Sequence, residues 1–191
     1  MVRVNPAYKP LVQLPWCCLP CALLWVLHRR GYWVDQEEIA KLFDVGIPKG
    51  VAHRFTRRMR IAKKPKDTGV GETDVAGLMN RLFKQKKIPL VAERHVVSSV
   101  KSPKKFVTEH LKAGHDLIVN ISCRPFPKYK SRGGHGCVIA GINHSTGIVT
   151  LGDPGGRMPT FWKVHVSKLA DAMLPKHGRE RGFWVIKSKK K

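Results

Sequence analysis

Three thiols crowd the start of an apolar helix near the beginning of the chain. The stretch over residues 13–27 is QLPWCCLPCALLWVL and contains Cys17, Cys18 and Cys21. Pro20 is tolerated only in the first turn of a helix, so it predicts that the helix begins just before it. Unpaired backbone N–H groups and the positive end of the helix dipole stabilise a thiolate at such a position. Cys18 is therefore the candidate nucleophile, with Cys17 further out and Cys21 already inside the helix.

Candidate partners for that thiol follow later in the chain. Thiol chemistry on an acyl group needs a base beside the nucleophile, a group that orients the base, and hydrogen-bond donors for the oxyanion. His135 lies between glycines at the predicted start of a strand, and Asp153 follows the next predicted strand. Gln13 lies just upstream of the thiol, where its side-chain N–H and the backbone N–H of Cys18 can serve as oxyanion donors. These residue types predict an acyl-transfer site at Cys18.

The residues around these positions resemble a known family. The matching segments are Gln13 with Cys18-x-Pro20-x-Ala22-Leu23, then GHGCVIAGI over residues 134–142, and Gly152-Asp153-Pro154. They are similar to the bacteriocin-processing cysteine peptidases, which act on double-glycine leaders, and to their stand-alone relatives. The resemblance implies a papain-like fold and a peptide or protein substrate, with no cofactor. It also implies the roles of nucleophile, general base, orienting acid and oxyanion-hole residue for Cys18, His135, Asp153 and Gln13, respectively.

Two positions depart from the pattern of that family. Leu19 follows the nucleophile where the family usually has glycine, and Gln13 lies closer to Cys18 than the common spacing. Both changes affect the loop of the oxyanion hole, where a displacement of about an angstrom can lower a rate about a hundredfold. Papain-fold enzymes also include acyltransferases and amidases, so the resemblance predicts thiol-based acyl chemistry, of which proteolysis is one form. The alternative is a catalytically decayed papain-fold component of a virion or other nucleoprotein particle.

The same thiols allow a redox interpretation. Cys18-Leu-Pro20-Cys21 after Trp16 is similar to a thioredoxin-type motif. That motif follows a long buried strand, whereas residues 5–15 contain three prolines and no continuous apolar run. The sequence context therefore disfavours redox chemistry.

A zinc site is a further alternative. Its ligands would be Cys18, Cys21, His135 and Cys137, with each thiolate sulfur about 2.3 Å from the metal. The combination of Cys-x-x-Cys with His-x-Cys is an irregular spacing for such a site. We therefore expect no metal.

The net charge predicts a polyanionic partner. The chain has 36 Lys and Arg against 13 Asp and Glu, which gives a formal net charge of +23. This excess is more than solubility needs and is typical of proteins that contact nucleic acid, an anionic membrane surface or the interior of a nucleoprotein particle, although a merely basic enzyme is also possible. Residues 54–66 alternate basic and apolar residues, as a short amphipathic helix does. The candidate nucleic-acid-binding residues are Arg54, Arg57, Arg58, Arg60, Lys63, Lys64 and Lys66.

The number of cysteines and the first apolar run indicate the cellular compartment in which the protein is expected. Five cysteines, an odd number with three clustered together, do not resemble a secreted disulfide framework. The apolar run over residues 11–27 contains Gln13 and two prolines and precedes no small-residue cleavage site. It therefore predicts neither a signal peptide nor a transmembrane segment. We expect the protein in the cytoplasm or within a virion or other nucleoprotein particle.

The order of predicted elements is typical of the α+β class, with helices first and antiparallel strands second. We expect a single papain-like domain over residues 1–191, in which N-terminal helices pack on a C-terminal antiparallel sheet. A basic insertion is expected near residues 46–70 and a short basic tail at residues 187–191. Helices are predicted over residues 19–30, 36–43, 74–86, 104–112 and 167–173. Strands are predicted over residues 88–93, 117–122, 133–142, 148–151 and 183–187.

Overall fold

Five α-helices lie within the ranges that the computed structural model describes, which are residues 1–70, 74–129 and 133–189. They are α1 (Cys18–Arg29), α2 (Gln36–Leu42), α3 (Val75–Gln85), α4 (Pro103–Lys112) and α5 (Val166–Asp171). In these ranges, no helix combines the length and the apolar character that crossing a membrane requires.

Ten strands in the same ranges form two sheets. They are β1 (Val2–Arg3), β2 (Val45–Ile47), β3 (Arg60–Ile61), β4 (Gly69–Val70), β5 (Leu90–Val96), β6 (Asp116–Ser122), β7 (Gly134–Asn143), β8 (Ile148–Gly152), β9 (Phe161–His165) and β10 (Gly182–Ser188). The large sheet is antiparallel, with the order β5-β10-β6-β7-β8-β9 and with β1 paired to β7. The small sheet has the order β3-β2-β4. This architecture confirms the predicted α+β class.

Helix α1 is apolar on every side because it lies inside the protein. All of residues 19–27 are buried, and the helix packs on β6 and β7. Trp25 approaches Gly152 so closely that a Cβ at that glycine would lie 2.7 Å from the indole ring. The indole Nε1 donates a hydrogen bond of 2.9 Å to the backbone oxygen of Leu11. The helix therefore joins the N-terminal arm to the sheet and fixes where its own first residue, Cys18, lies.

A buried carboxylate joins the other end of α1 to β6. Asp116 has no exposed surface. It accepts hydrogen bonds from the Tyr8 hydroxyl at 2.7 Å, from Arg29 Nε at 2.6 Å and from Arg30 Nε. Because two cations bind one carboxylate, these contacts hold the C-terminal end of α1 against the start of β6.

The basic segment is not the helix that its sequence pattern predicts. Lys49–Arg54 form a 3-10 turn, and β3 pairs in parallel with β2. The guanidinium Nη2 of Arg60 donates to the backbone oxygens of Asp44 and Asp67 at 2.9 and 3.3 Å. These contacts between separate segments stabilise an irregular path through residues 54–66, so the helix prediction is wrong there.

The other predicted elements match observed ones to within three residues at each end. Three differences matter. The strand β9 was not predicted, the small sheet was not predicted, and β10 continues to Ser188, one residue beyond the predicted strand and into the expected tail. Residues 71–73 before the predicted third helix, residues 130–132 between two predicted strands, and residues 190–191 of the expected tail lie outside the described ranges.

Candidate active site

Cys18 is the first residue of α1, and the turn before it has an unusual backbone. Trp16 has a φ of 60°, in the left-handed region that bulky residues rarely adopt. The backbone N–H of Cys17 donates to Leu14 O at 3.0 Å, and the N–H of Leu14 donates to Gln36 Oε1 at 2.6 Å. The turn therefore holds the thiol at the positive end of the helix, where backbone N–H groups have no acceptor within the helix.

The three clustered thiols differ in their surroundings. Cys17 and Cys21 are fully buried, and burial raises the pKa of each to about 12. Burial also acts to raise the pKa of Cys18, but a hydrogen bond from His135, the charge of that ring and nearby backbone N–H groups outweigh it and lower the pKa. Cys18 is the member of the cluster that can ionise most readily.

His135 connects the thiol with a carboxylate. It lies on β7, and its Nε2 is 2.7 Å from Asp153 Oδ1, while the same ring interacts with the Cys18 thiol. Burial lowers the pKa of His135, but interactions with Cys137, Asp153 and Cys18 raise it well above its ordinary value. A lowered thiol pKa beside a raised imidazole pKa favours a thiolate–imidazolium pair.

Asp153 is buried and held by three donors. Its Oδ1 accepts from the backbone N–H of Gly155 at 2.7 Å as well as from His135, and its Oδ2 accepts from the Tyr129 hydroxyl at 2.5 Å. Burial acts to raise the pKa of Asp153, but these hydrogen bonds and the charge of His135 lower it. Tyr129 was missed by the sequence analysis, because no motif distinguishes a tyrosine in a Pro- and Lys-rich loop.

Gln13 lies in the same groove as the thiol and the imidazole. Its backbone N–H donates to Pro154 O at 3.1 Å, so the residue is tied to the turn that follows Asp153. The side-chain Oε1 is buried and has no hydrogen-bond partner in the described ranges. Gln13 therefore lies beside Cys18 at the groove and is held there by the turn after Asp153.

The groove has a volume of about 570 Å³ and is lined by Cys18, His135 and Gln13 together. Its other charged lining residues are Arg54 and Arg157, and no carboxylate of the described ranges lines it. An extended chain can enter such a groove and bring a carbonyl carbon to the thiol. The basic lining makes the groove electropositive.

The four predicted zinc ligands are not brought together as a set. Cys21 points its thiol to Leu11 O, at 3.5 Å. The ligand-type atoms that the structure gathers within 4.8 Å of one another belong to His135, Cys137 and Asp153, within the residues described. In this group the ring and the carboxylate already form a 2.7 Å hydrogen bond, so the arrangement is that of a hydrogen-bonded acid–base pair.

The predicted nucleic-acid-binding residues fall into two sets. Arg57 and Arg60 form ion pairs with Asp35 and Asp44, at N–O distances of 3.2 and 2.7 Å. The second set has no ion pair with any residue in the described part of the chain and comprises Arg54, Arg58, Lys63, Lys64 and Lys66. Two of these lysines line a shallow pocket that shares Trp16 with the groove. Positive charge that has no ion pair in the described ranges therefore borders the groove.

Comparison with known proteins identifies the fold. No protein-family model matches the chain, and no curated protein matches its sequence. Among solved structures, a Bacillus anthracis protein described as a C39-like peptidase aligns with a TM-score of 0.61 and 16% identity, over 99% of this chain and 98% of that chain. A double glycine motif protease from an AMS/PCAT transporter, solved in complex with the leader peptide, aligns with a TM-score of 0.50 and 14% identity, over 99% of each chain.

At these identities the likeness establishes the fold. The chain has the papain-like fold of the C39-like peptidases, as predicted. The resemblance to the bacteriocin-processing peptidases is thereby confirmed at the level of the fold.

Proposed function

We propose that the protein is a papain-like cysteine peptidase with Cys18 as nucleophile, His135 as general base and Asp153 as the orienting acid. The observation that carries this proposal is the grouping of three side chains beside an open groove: His135 lowers the pKa of the Cys18 thiol, and its Nε2 lies 2.7 Å from Asp153 Oδ1. This grouping also argues against the catalytically decayed alternative.

The mechanism follows from the order of these groups. The Cys18 thiolate attacks the scissile carbonyl carbon, and the electron pair of the C=O bond moves onto oxygen. The His135 imidazolium then gives its proton to the leaving nitrogen, the C–N bond breaks, and an acyl-enzyme remains. Neutral His135 next takes a proton from water, whose oxygen attacks the thioester and releases the acid and the thiol.

Gln13 and the backbone N–H of Cys18 are the proposed oxyanion donors. The carboxamide supports this role because it lines the groove with the thiol, and the N–H belongs to the first residue of a helix. Donors fixed before the reaction stabilise the charge that develops on the carbonyl oxygen and need no rearrangement during it.

The proposed substrate is a peptide or protein. The double glycine motif protease with the same fold was solved with a leader peptide, and the groove described here is open enough for an extended segment. If an amine or alcohol takes the place of water in the second step, the same site performs acyl transfer. All five cysteines are free thiols, which is consistent with a reducing compartment such as the cytoplasm or with a nucleoprotein particle.

Thiol labelling tests the nucleophile. Iodoacetamide near neutral pH should modify Cys18 rapidly, because its pKa is lowered, whereas burial keeps Cys17 and Cys21 protonated. Cys18→Ala should abolish the rapid phase, as measured by intact-protein mass spectrometry. Cys17→Ala is the matched control and should leave that phase in place. The opposite pattern would assign the reactive thiol to Cys17 and overturn the proposed site.

We also propose that the basic surface binds a polyanion, with nucleic acid as the first candidate, mainly through phosphate contacts. The observation that favours this is the set of exposed cations without ion pairs in the described ranges, Arg54, Arg58, Lys63, Lys64 and Lys66. Arg57 and Arg60 already pair with carboxylates, so they are weaker candidates than their sequence neighbours.

Salt dependence tests this binding. A plot of log affinity against log salt for single-stranded RNA or duplex DNA should be steep, because each phosphate contact contributes about 0.7 to 0.9 to the slope. Replacing Lys63, Lys64 and Lys66 with serine should flatten the slope by about 2 to 3. The control replaces three exposed lysines elsewhere, Lys101, Lys105 and Lys112, with the same change in net charge. An equal change in both variants, or no binding at low salt, would contradict the proposal.

A further inference from the structure

A second cavity, with a volume of about 130 Å³, shares no lining residue with the groove. We call it the arginine cavity. Its polar lining consists of Arg94, Asn120, Arg179, Arg181 and Trp184, which β5, β6, β10 and the segment before β10 supply. Leu19, the residue after Cys18, also lines it, so the cavity adjoins the candidate active site without including its reacting groups.

Arg181 is a buried cation without a counter-ion in the described part of the chain. The residue is 6% exposed, and no ion pair within the described ranges involves it or the other two arginines of the cavity. Its Nη1 donates to Arg179 O at 2.8 Å, whereas its Nε is buried with no hydrogen-bond partner in those ranges. Burial lowers the pKa of Arg181, and the charge of Arg179 lowers it further. A buried charge in this condition is strongly unfavourable unless an anion pairs with it.

Two more buried polar groups of the cavity have no partner in the described ranges. They are Nε1 of Trp184, a residue that is 5% exposed, and Oδ1 of Asn120. The indole N–H can only donate, and a half-turn of the Asn120 amide presents its Nδ2 donor in place of Oδ1. The cavity can therefore offer three kinds of donor at once, from a guanidinium, an indole and an amide.

The geometry at Gly134 locates the Nε–Nη2 edge of the Arg181 guanidinium. A Cβ built on Gly134 would lie 3.0 Å from Asn120 Oδ1, 3.5 Å from Arg181 Nε and 3.7 Å from Arg181 Nη2. The amide and the Nε–Nη2 edge of the guanidinium thus border the same small space. This edge carries two parallel N–H groups, which match the two oxygens of a carboxylate or two oxygens of a phosphate.

We propose that the arginine cavity binds a small oxyanion, a carboxylate or phosphate group, on the Nε–Nη2 edge of Arg181, with Trp184 Nε1 and Asn120 as further donors. The volume suits such a group, since a single water occupies about 30 Å³. Water could satisfy the indole and the amide but would not neutralise the guanidinium. The proposal goes beyond the peptidase function and does not depend on it.

The indole N–H of Trp184 is the reporter for a binding experiment on the full chain. In a ¹H–¹⁵N spectrum its signal is identified by its loss in Trp184→Phe. Sodium acetate and sodium phosphate are titrated separately at constant ionic strength, with sodium chloride as the balance. We expect a saturable shift of this signal with at least one of the two probes, while the signal of Trp33, which is 79% exposed, stays unchanged. A response to acetate alone supports a peptide carboxylate as the source, and a response to phosphate supports a free or esterified phosphate.

Two variants separate binding from effects on folding. Arg181→Gln removes the cation and should abolish the saturable shift. Asn120→Asp keeps the size of the side chain but supplies an internal carboxylate next to Arg181, so it should raise the melting temperature and also abolish the shift. The second variant decides the matter if the first does not fold. If neither acetate nor phosphate shifts the Trp184 signal more than sodium chloride does, the proposal is overturned. A saturable shift that persists in Asn120→Asp would also overturn it.

Discussion

Asp153→Asn should lower kcat/KM for a cleaved peptide by between about 10² and 10⁴ while the fold is retained. The amide can still accept from the His135 Nε2–H through its oxygen, and the Tyr129 hydroxyl can turn to accept from the new NH₂ group. The negative charge beside the ring is lost. The imidazolium of the thiolate–imidazolium pair then has no counter-charge on that side.

The pH profile separates this role from a structural one. The thiolate–imidazolium pair exists between the lowered pKa of Cys18 and the raised pKa of His135, so activity falls on the acid side as the thiolate is protonated and on the alkaline side as the imidazolium is lost. Because Asp153 raises the pKa of His135, its neutral replacement should move the alkaline limb down by about one to three pH units. The activity profile against pH, measured as kcat/KM, tests this.

Tyr129→Phe is the matched control for that experiment. It removes the neutral donor to Asp153 Oδ2 and keeps the carboxylate charge, so its alkaline limb should stay close to that of the parent protein. Circular dichroism confirms that each variant folds. An Asp153→Asn profile with unchanged rate and unchanged limbs would mean that this residue serves only the turn after β8.

Elements with local signals were predictable from the sequence. The side chain of Asp35 accepts from Glu37 N at the start of α2, and Ser102 accepts from Lys105 N at the start of α4. Each contact spans three residues or fewer, so the residue types alone locate the helix ends. The thiol at the start of α1 and the strand that carries His135 belong to this class, because Pro20 and the flanking glycines are local features as well.

Elements that depend on contacts between distant segments were not predictable. Strand β3 has two residues, and it exists because it pairs with β2 while the Arg60 side chain binds the backbone at Asp44 and Asp67. Alternating basic and apolar residues there resemble a helix when the pairing is unknown. Strand β9, at Phe161–His165, pairs with β8 after an irregular Gly-rich turn. The short alternation of exposed and buried residues over β9 is a weak strand signal by itself. The segment forms a strand because β8 offers an edge for it to pair with.

The candidate site divides in the same way. The types and order of Cys18, His135 and Asp153 predict a thiol site, because each is tied to the start or end of an element. Tyr129 reaches Asp153 from a loop, and the arginine cavity draws its lining from several separate segments. Neither has a local pattern, so only the folded chain reveals them.

Asp116→Asn should destabilise the protein by about 3 to 5 kcal/mol, the usual effect of removing one partner from a buried ion pair. The carboxylate has no exposed surface, and the side chains of Arg29 and Arg30 that it binds are 4% and 15% exposed. The neutral amide leaves two nearly buried cations without a counter-charge and also disturbs the acceptor of the Tyr8 hydroxyl. For a chain of this size the melting temperature should fall by about 6 to 20 °C, measured by calorimetry or circular dichroism.

Asp171→Asn is the matched control, since Asp171 also contacts two side chains, Lys176 and His177, but its own side chain is 37% exposed. That substitution should destabilise the protein by less than about 1 kcal/mol, because solvent screens an exposed pair. Adding Arg30→Met to Asp116→Asn should recover part of the lost stability, since it removes one of the two uncompensated cations. If the two aspartate variants melt at the same temperature, the cluster at Asp116 does not hold the end of α1 against β6.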